Sequence, residues 1–115
     1  MKIDMQARHF SLSKALRNHI KRRLGFALSA GNDQIQRVLV RLSEANGPRG
    51  GADKRCKIQL VLPRIPDIVV EDTEANLYVA IDRAANRAGR TLRRRLTRHR
   101  DQHRALQHHR FAEMT

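Results

Sequence analysis

A chain of 115 residues carries 24 Lys and Arg against 11 Asp and Glu, a formal net charge of +13. That length holds one domain with a single two-layer core, which excludes an enzyme built from two lobes closing on a cofactor. Charge of one sign on so small a body concentrates polyanions, nucleic acid first and an anionic membrane surface second.

Ile3, Met5 and Ala7 alternate with Lys2, Asp4 and Gln6, the period-2 pattern of a short strand with one wet face. Ser13 then offers a hydroxyl to the first turn of a helix from about Lys14 to Ser29, in which Leu16, Ile20, Leu24, Ala27 and Leu28 recur at helical spacing. Gly31-Asn32 suits the C-cap of that helix. A second strand is expected from Ile35 to Ser43, followed by a loop from Asn46 to Asp53 with turn chemistry throughout. Cys56, Ile58, Leu60 and Leu62 form one face of a third strand. After the break at Pro63 to Asp67, Ile68, Val69 and Val70 complete a hairpin. Beyond Glu71 the period becomes helical, with Leu77, Ile81, Ala85, Ala88, Leu92 and Leu96 on one face, Asp72 or Thr73 as the cap and an end near Arg100. Gly89 inside this helix either permits close packing or marks a weak point, at about 1 kcal/mol relative to Ala. Residues 1–100 therefore read as one α+β domain, a β-α-β-β-β-α sandwich with both helices on one face of a four-stranded sheet. Residues 101–115 read as a basic, flexible C-terminal tail.

The charge has a geometry. At 100° per residue, Arg87, Arg90, Arg94 and Arg98 fall within about 60° of Arg83, whereas Leu77, Ile81, Ala85, Ala88 and Leu92 lie about 120° to 200° away. Eight arginines stand between Arg83 and Arg100 with no acid among them. Solvated helix faces ordinarily mix signs, and like charges at i and i+4 repel, so an all-arginine row points to a partner rich in phosphate. Lys14, Arg17, Lys21, Arg22 and Arg23 add five positive charges to the first helix. With both helices on one side of the sheet, the two sets are expected to merge into one broad basic surface suited to the backbone of a folded RNA.

Other chemistry is poorly supplied. The single cysteine, Cys56, admits no internal disulfide and sits in a strand pattern that buries it. Met1-Lys2-Ile3-Asp4 lacks the apolar run of a secretory leader, and no stretch nears the ~20 apolar residues of a membrane span, which together imply a cytoplasmic location. The glycines from Gly47 to Gly51 lack the Lys-Ser/Thr pair and the helix of a phosphate loop. His99 and His103 are spaced like metal ligands without a Cys or carboxylate to complete a site, and no nucleophile stands in a recognisable motif. No metal, cofactor or enzymatic activity is expected. Phe10, Phe26 and Phe111 fall outside the strands, so the paired sheet aromatics of an RRM are missing.

Two segments carry a family resemblance. Ser13-Lys14-Ala15-Leu16-Arg17-Asn18-His19-Ile20-Lys21-Arg22-Arg23-Leu24, and Leu77-Tyr78-Val79-Ala80-Ile81-Asp82 followed by Arg87, Arg90, Leu92 and Arg94, resemble the ribosome hibernation-promoting factor and ribosome-associated inhibitor family, also called sigma-factor modulation proteins. The resemblance covers about Met1 to Asp101. It implies a fold similar to double-stranded RNA-binding domains and binding to small-subunit ribosomal RNA in the channel used by mRNA and tRNAs, blocking translation in stress or stationary phase. It also implies that Arg87, Arg90 and Arg94, with Arg17 and Arg23, face ribosomal RNA, and that Tyr78 either contacts RNA or packs at the helix start. Gly25 and Phe26, Leu77, Gly89 and a longer Asn46 to Asp53 loop depart from the family pattern. The chain resembles the short form, for which ribosome dimerisation would require a second factor. A general RNA-binding or RNA-chaperone module and a sigma-factor modulator are the alternative functions.

Overall fold

Buried side chains at every second position of the central strands set the sheet. In the computed structural model, which describes residues 1–45 and 53–114 and only the backbone over 107–114, the strands β1 (Lys2–Ala7), β2 (Arg37–Glu44), β3 (Lys54–Val61) and β4 (Ile68–Glu74) lie side by side in chain order. β1 runs parallel to β2, and the remaining neighbours are antiparallel. A parallel pair needs a crossover, which helix α1 (Lys14–Ala27) supplies. The register aligns Val38, Leu60 and Ile68 in one row and Val40, Ile58 and Val70 in the next, all buried. Cys56 follows on the same face, fully buried, and burial with the nearby Asp72 charge pushes its thiol up to about 12.

Leu16, Ile20 and Leu24 of α1 and Ile81, Ala85, Ala88 and Leu92 of α2 (Leu77–Met114) join these strand residues in one core cluster. Both helices thus cover the same face, and among the described residues no helix lies over the other face of the sheet. The α+β order β-α-β-β-β-α is the one the sequence pattern predicts. Ser13 caps α1 as expected, its hydroxyl accepting from Leu16 N at 3.1 Å.

Several boundaries differ from the sequence expectation, each for a physical reason. α1 ends at Ala27, before Ser29, and Gly31 does not cap it. Gly31 is buried against the Leu92 and Leu96 side chains, which a Cβ there would meet, and a 3₁₀ turn (Asn32–Gln34) follows. β4 continues past Val70 to Glu74, pairing Asp72 with Cys56 and Glu74 with Lys54, so neither Asp72 nor Thr73 caps α2. The acids meet the basic β3 across the ladder, and that cross-strand pairing outweighs their value at a helix N-terminus. Asn76 caps α2 instead, its Oδ1 accepting from Tyr78 N at 2.8 Å and Val79 N at 3.4 Å. α2 also runs on beyond Arg100 to Met114. From Asp101 to Met114 there is no Gly or Pro to stop it, and Arg, Gln, Leu and Ala favour helix. Most of the expected Asn46 to Asp53 loop lies outside the described residues. Asp53 itself is buried, and its carbonyl accepts from Ala45 N at 2.6 Å.

Candidate nucleic-acid interface

The helices meet along a polar seam. His19 Nε2 donates to Asp82 Oδ1 at 2.7 Å, and Arg23 Nη2 donates to Asn86 Oδ1 at 3.1 Å. Arg23 Nε lies 3.1 Å from Asp82 Oδ1 without the alignment of a hydrogen bond. One turn further along, Gly89 lets the Ala27 carbonyl approach so closely that a Cβ would collide with it. This decides the expected alternatives for Gly89 in favour of close packing. Tyr78 joins the same seam, its ring meeting His19 edge-on with centroids 4.8 Å apart and 72° between planes. Tyr78 stays 42% exposed, so packing and an open face coexist there.

The seam dictates where the remaining charge points. On α1, Lys14, Arg17 and Lys21 stand about 140° to 160° round from His19 and so occupy the flank away from α2. On α2, Asp82, Asn86 and Gly89 turn to α1, while Arg83 and Arg87 reach the edge strand: Arg87 Nη1 donates to the Glu71 carbonyl at 2.7 Å, Arg87 Nη2 lies 3.4 Å from Asp72 Oδ2, and Arg83 Nη1 lies 3.8 Å from Glu74 Oε2. A hydrogen bond to Asp72 holds the Glu74 carboxyl above its usual range. The anticipated single surface is therefore a basic wrap around the helix layer. Lys14, Arg17 and Lys21 form one flank, Arg22, Arg90 and Arg93 lie along the crest, and Arg94 and Arg98 continue the opposite flank.

The arginine row is not uniform along its length. Its first two members, Arg83 and Arg87, are engaged by acids from β4, whereas Arg90, Arg94 and Arg98 are exposed and make no ion pair among the described residues. Lys14, Arg17 and Lys21 are likewise exposed and unpaired. Arg22 is exposed and, among the described residues, reaches only His19 Nδ1, at 3.4 Å. Free guanidinium and ammonium groups at fixed positions on rigid helices are what backbone phosphates require.

Two features escaped sequence reasoning. Phe26 is 80% exposed on the crest, beside Asn86, Arg90 and Arg93. On the uncovered face of the sheet, Arg41 and Lys57 stand directly opposite each other, and with Arg8 and Arg55 they line a recess of about 310 Å³ in which Glu71 is the acid. Period-2 alternation of Arg37, Arg41, Arg55 and Lys57 in the strands carried that second signal. His99 and His103 belong to no group of three or more His, Cys, Asp or Glu able to hold a metal among the described residues. Among those residues no helix is long and apolar enough to cross a membrane.

Known proteins share this fold. The N-terminal domain of Protein Y from Thermus thermophilus superposes with a TM-score of 0.65 at 28% identity, over 82% of this chain and 98% of that one. A ribosomal subunit interface protein from Coxiella burnetii shares the fold at 18% identity and a TM-score of 0.73, over 84% of this chain and 99% of that one. A chloroplastic ribosome-binding factor from Spinacia oleracea is 28% identical over 96 residues, which is 82% of this chain and 32% of the relative, so the chain spans about a third of that protein's length. The model of the family described as sigma 54 modulation protein / S30EA ribosomal protein matches residues 3–100, covering all four strands, α1 and the arginine row of α2, and the chain belongs to that family.

Proposed function

We propose that the chain is a ribosome-associated factor that restrains translation by laying its helix layer on small-subunit ribosomal RNA, a role of binding and occlusion without catalysis. The observation that carries this reading is the set of cations without ion-pair partners among the described residues: Arg90 on the crest of the layer, Arg94 and Arg98 on one flank and Lys14, Arg17 and Lys21 on the other, on a fold whose family includes ribosomal proteins. A basic layer that wraps round two helices fits a concave channel better than a flat surface, in keeping with occupation of the path of mRNA and tRNAs. Occupancy in stress or stationary phase, a cytoplasmic site of action and a second factor for any ribosome dimerisation belong to the same proposal.

Sucrose-gradient sedimentation of lysates from growing and starved cells tests it. The protein should travel with small subunits and whole ribosomes, more so after starvation, and should leave them as salt rises. Absence from both at moderate salt would refute the proposal. Equal binding to naked RNA and DNA of any shape would favour a general RNA-binding module. The family description also names sigma 54 modulation, and a protein captured after nuclease treatment would favour that regulatory reading.

A further inference from the structure

Phe26 is the most exposed large apolar side chain among the described residues. It belongs to the last turn of α1, outside the buried stripe of Leu16, Ile20 and Leu24, so the core has no place for it. Its surroundings are specific. With Ala27, Asn86, Arg90 and Arg93 it lines a recess of about 260 Å³ on the crest of the helix layer. The floor is rigid, because Ala27 packs on Gly89 and Asn86 is held by Arg23. Arg23 occupies the Asn86 carbonyl oxygen, which leaves the amide NH₂ of Asn86 as a donor. Among the described residues no ring contact occupies Phe26, and Arg90 and Arg93 are exposed beside it without ion-pair partners.

An uncovered aromatic face next to unpaired guanidinium groups matches the two halves of a nucleotide, the base on the ring and the phosphate on the arginine. Charge complementarity favours a nucleotide as the occupant, because the guanidinium groups beside the ring have no acid paired with them among the described residues. We infer that Phe26 is a stacking platform for one unpaired ribosomal RNA base, with Arg90 and Arg93 holding the adjoining phosphates and Asn86 offering a donor to the base edge. The inference rests on the RNA-binding role proposed above. It adds a contact whose strength does not depend on charge.

That difference supplies the test. Binding of the full chain to purified small subunits is measured across a salt series for wild type, Phe26→Ala, Phe26→Trp and Arg90→Gln/Arg93→Gln, with chemical probing of unpaired bases in each complex. Phe26→Ala should lower affinity about tenfold at every salt concentration without changing the log–log slope, as expected for loss of one stacked base. Phe26→Trp should restore affinity, and Arg90→Gln/Arg93→Gln should flatten the slope. One unpaired base should be protected by wild type and by Phe26→Trp and released by Phe26→Ala. Unchanged affinity in Phe26→Ala overturns the inference. A loss of affinity with no base released also overturns it, because the ring then meets a ribosomal protein. Failure of wild type itself to bind small subunits would refute the RNA-binding role, an outcome read separately from the variants. Since Phe26 is exposed, an unchanged melting temperature in Phe26→Ala confirms that the comparison concerns binding.

Discussion

A missing methyl group does opposite things at Gly25 and Gly89. Nothing lies within 4 Å of a Cβ built on Gly25, whereas one on Gly89 would run into the Ala27 carbonyl. Gly25→Ala should therefore raise stability by up to about 1 kcal/mol through helix propensity. Gly89→Ala should lower it by about 1 to 3 kcal/mol, because the helices must part to admit the methyl group. Thermal melts of the two variants, moving in opposite directions, check the pair. Sequence alone could pose the question at Gly89 but not answer it, since the answer depends on Ala27, remote in the chain. Gly31 misled for the same reason: it packs against the side chains of Leu92 and Leu96, remote in the chain, and makes no left-handed turn. Cys56 was legible, because strand alternation alone put it in the core. Thiol reagents at neutral pH should label it only after unfolding. Its folded thiol is pushed up to about 12 from an ordinary value of 9.0. Both states hold the proton below that ordinary value, and above it the unfolded chain ionises first, so Cys56 makes stability fall as pH rises from about 9 towards 12.

At the scale of elements, the 3.6 period exposed the arginine row, since the periodicity that builds the core face of α2 also builds its opposite. The acids that engage Arg83 and Arg87 could not be seen that way. They lie on β4, and reading Glu71 to Glu74 as a helix entry assigned them to the wrong element. The row consequently divides into a part paired with acids of β4 and a part without ion pairs among the described residues. Arg83→Gln/Arg87→Gln should lower the melting temperature, since Asp72 has only 9% of its side chain exposed and loses its cation, while changing the salt slope of small-subunit binding little. Arg90→Gln/Arg94→Gln/Arg98→Gln should leave the melting temperature near wild type and reduce the slope by about two to three, given roughly 0.7 to 0.9 per phosphate contact. A larger slope change in the first variant than in the second would assign the contacts to the wrong half of α2.

The whole molecule has two basic faces of different kinds. The helix layer carries long, mostly unpaired cations at its flanks and crest. The uncovered sheet carries Arg41 opposite Lys57, and an Arg55 whose Nε lies 3.2 Å from Glu71 Oε1. A net charge of +13 makes no distinction between the faces, so composition could indicate a polyanionic partner without saying which side meets it. The helix period supplied the helix face in outline and the basic sheet face went unread, while the three-strip form of the helix layer came only from the seam at His19, Asp82 and Gly89. Two triple variants separate geometry from total charge. Arg17→Gln/Arg90→Gln/Arg94→Gln on the helix layer and Arg41→Gln/Arg55→Gln/Lys57→Gln on the sheet remove the same number of charges. The decisive measurement is their affinity for purified small ribosomal subunits across a salt series. The helix-layer variant should bind far more weakly with a slope flattened by about two to three, and the sheet variant should stay close to wild type. Equal losses in the two variants would contradict the assignment of the helix layer as the binding face and leave net charge alone as the cause.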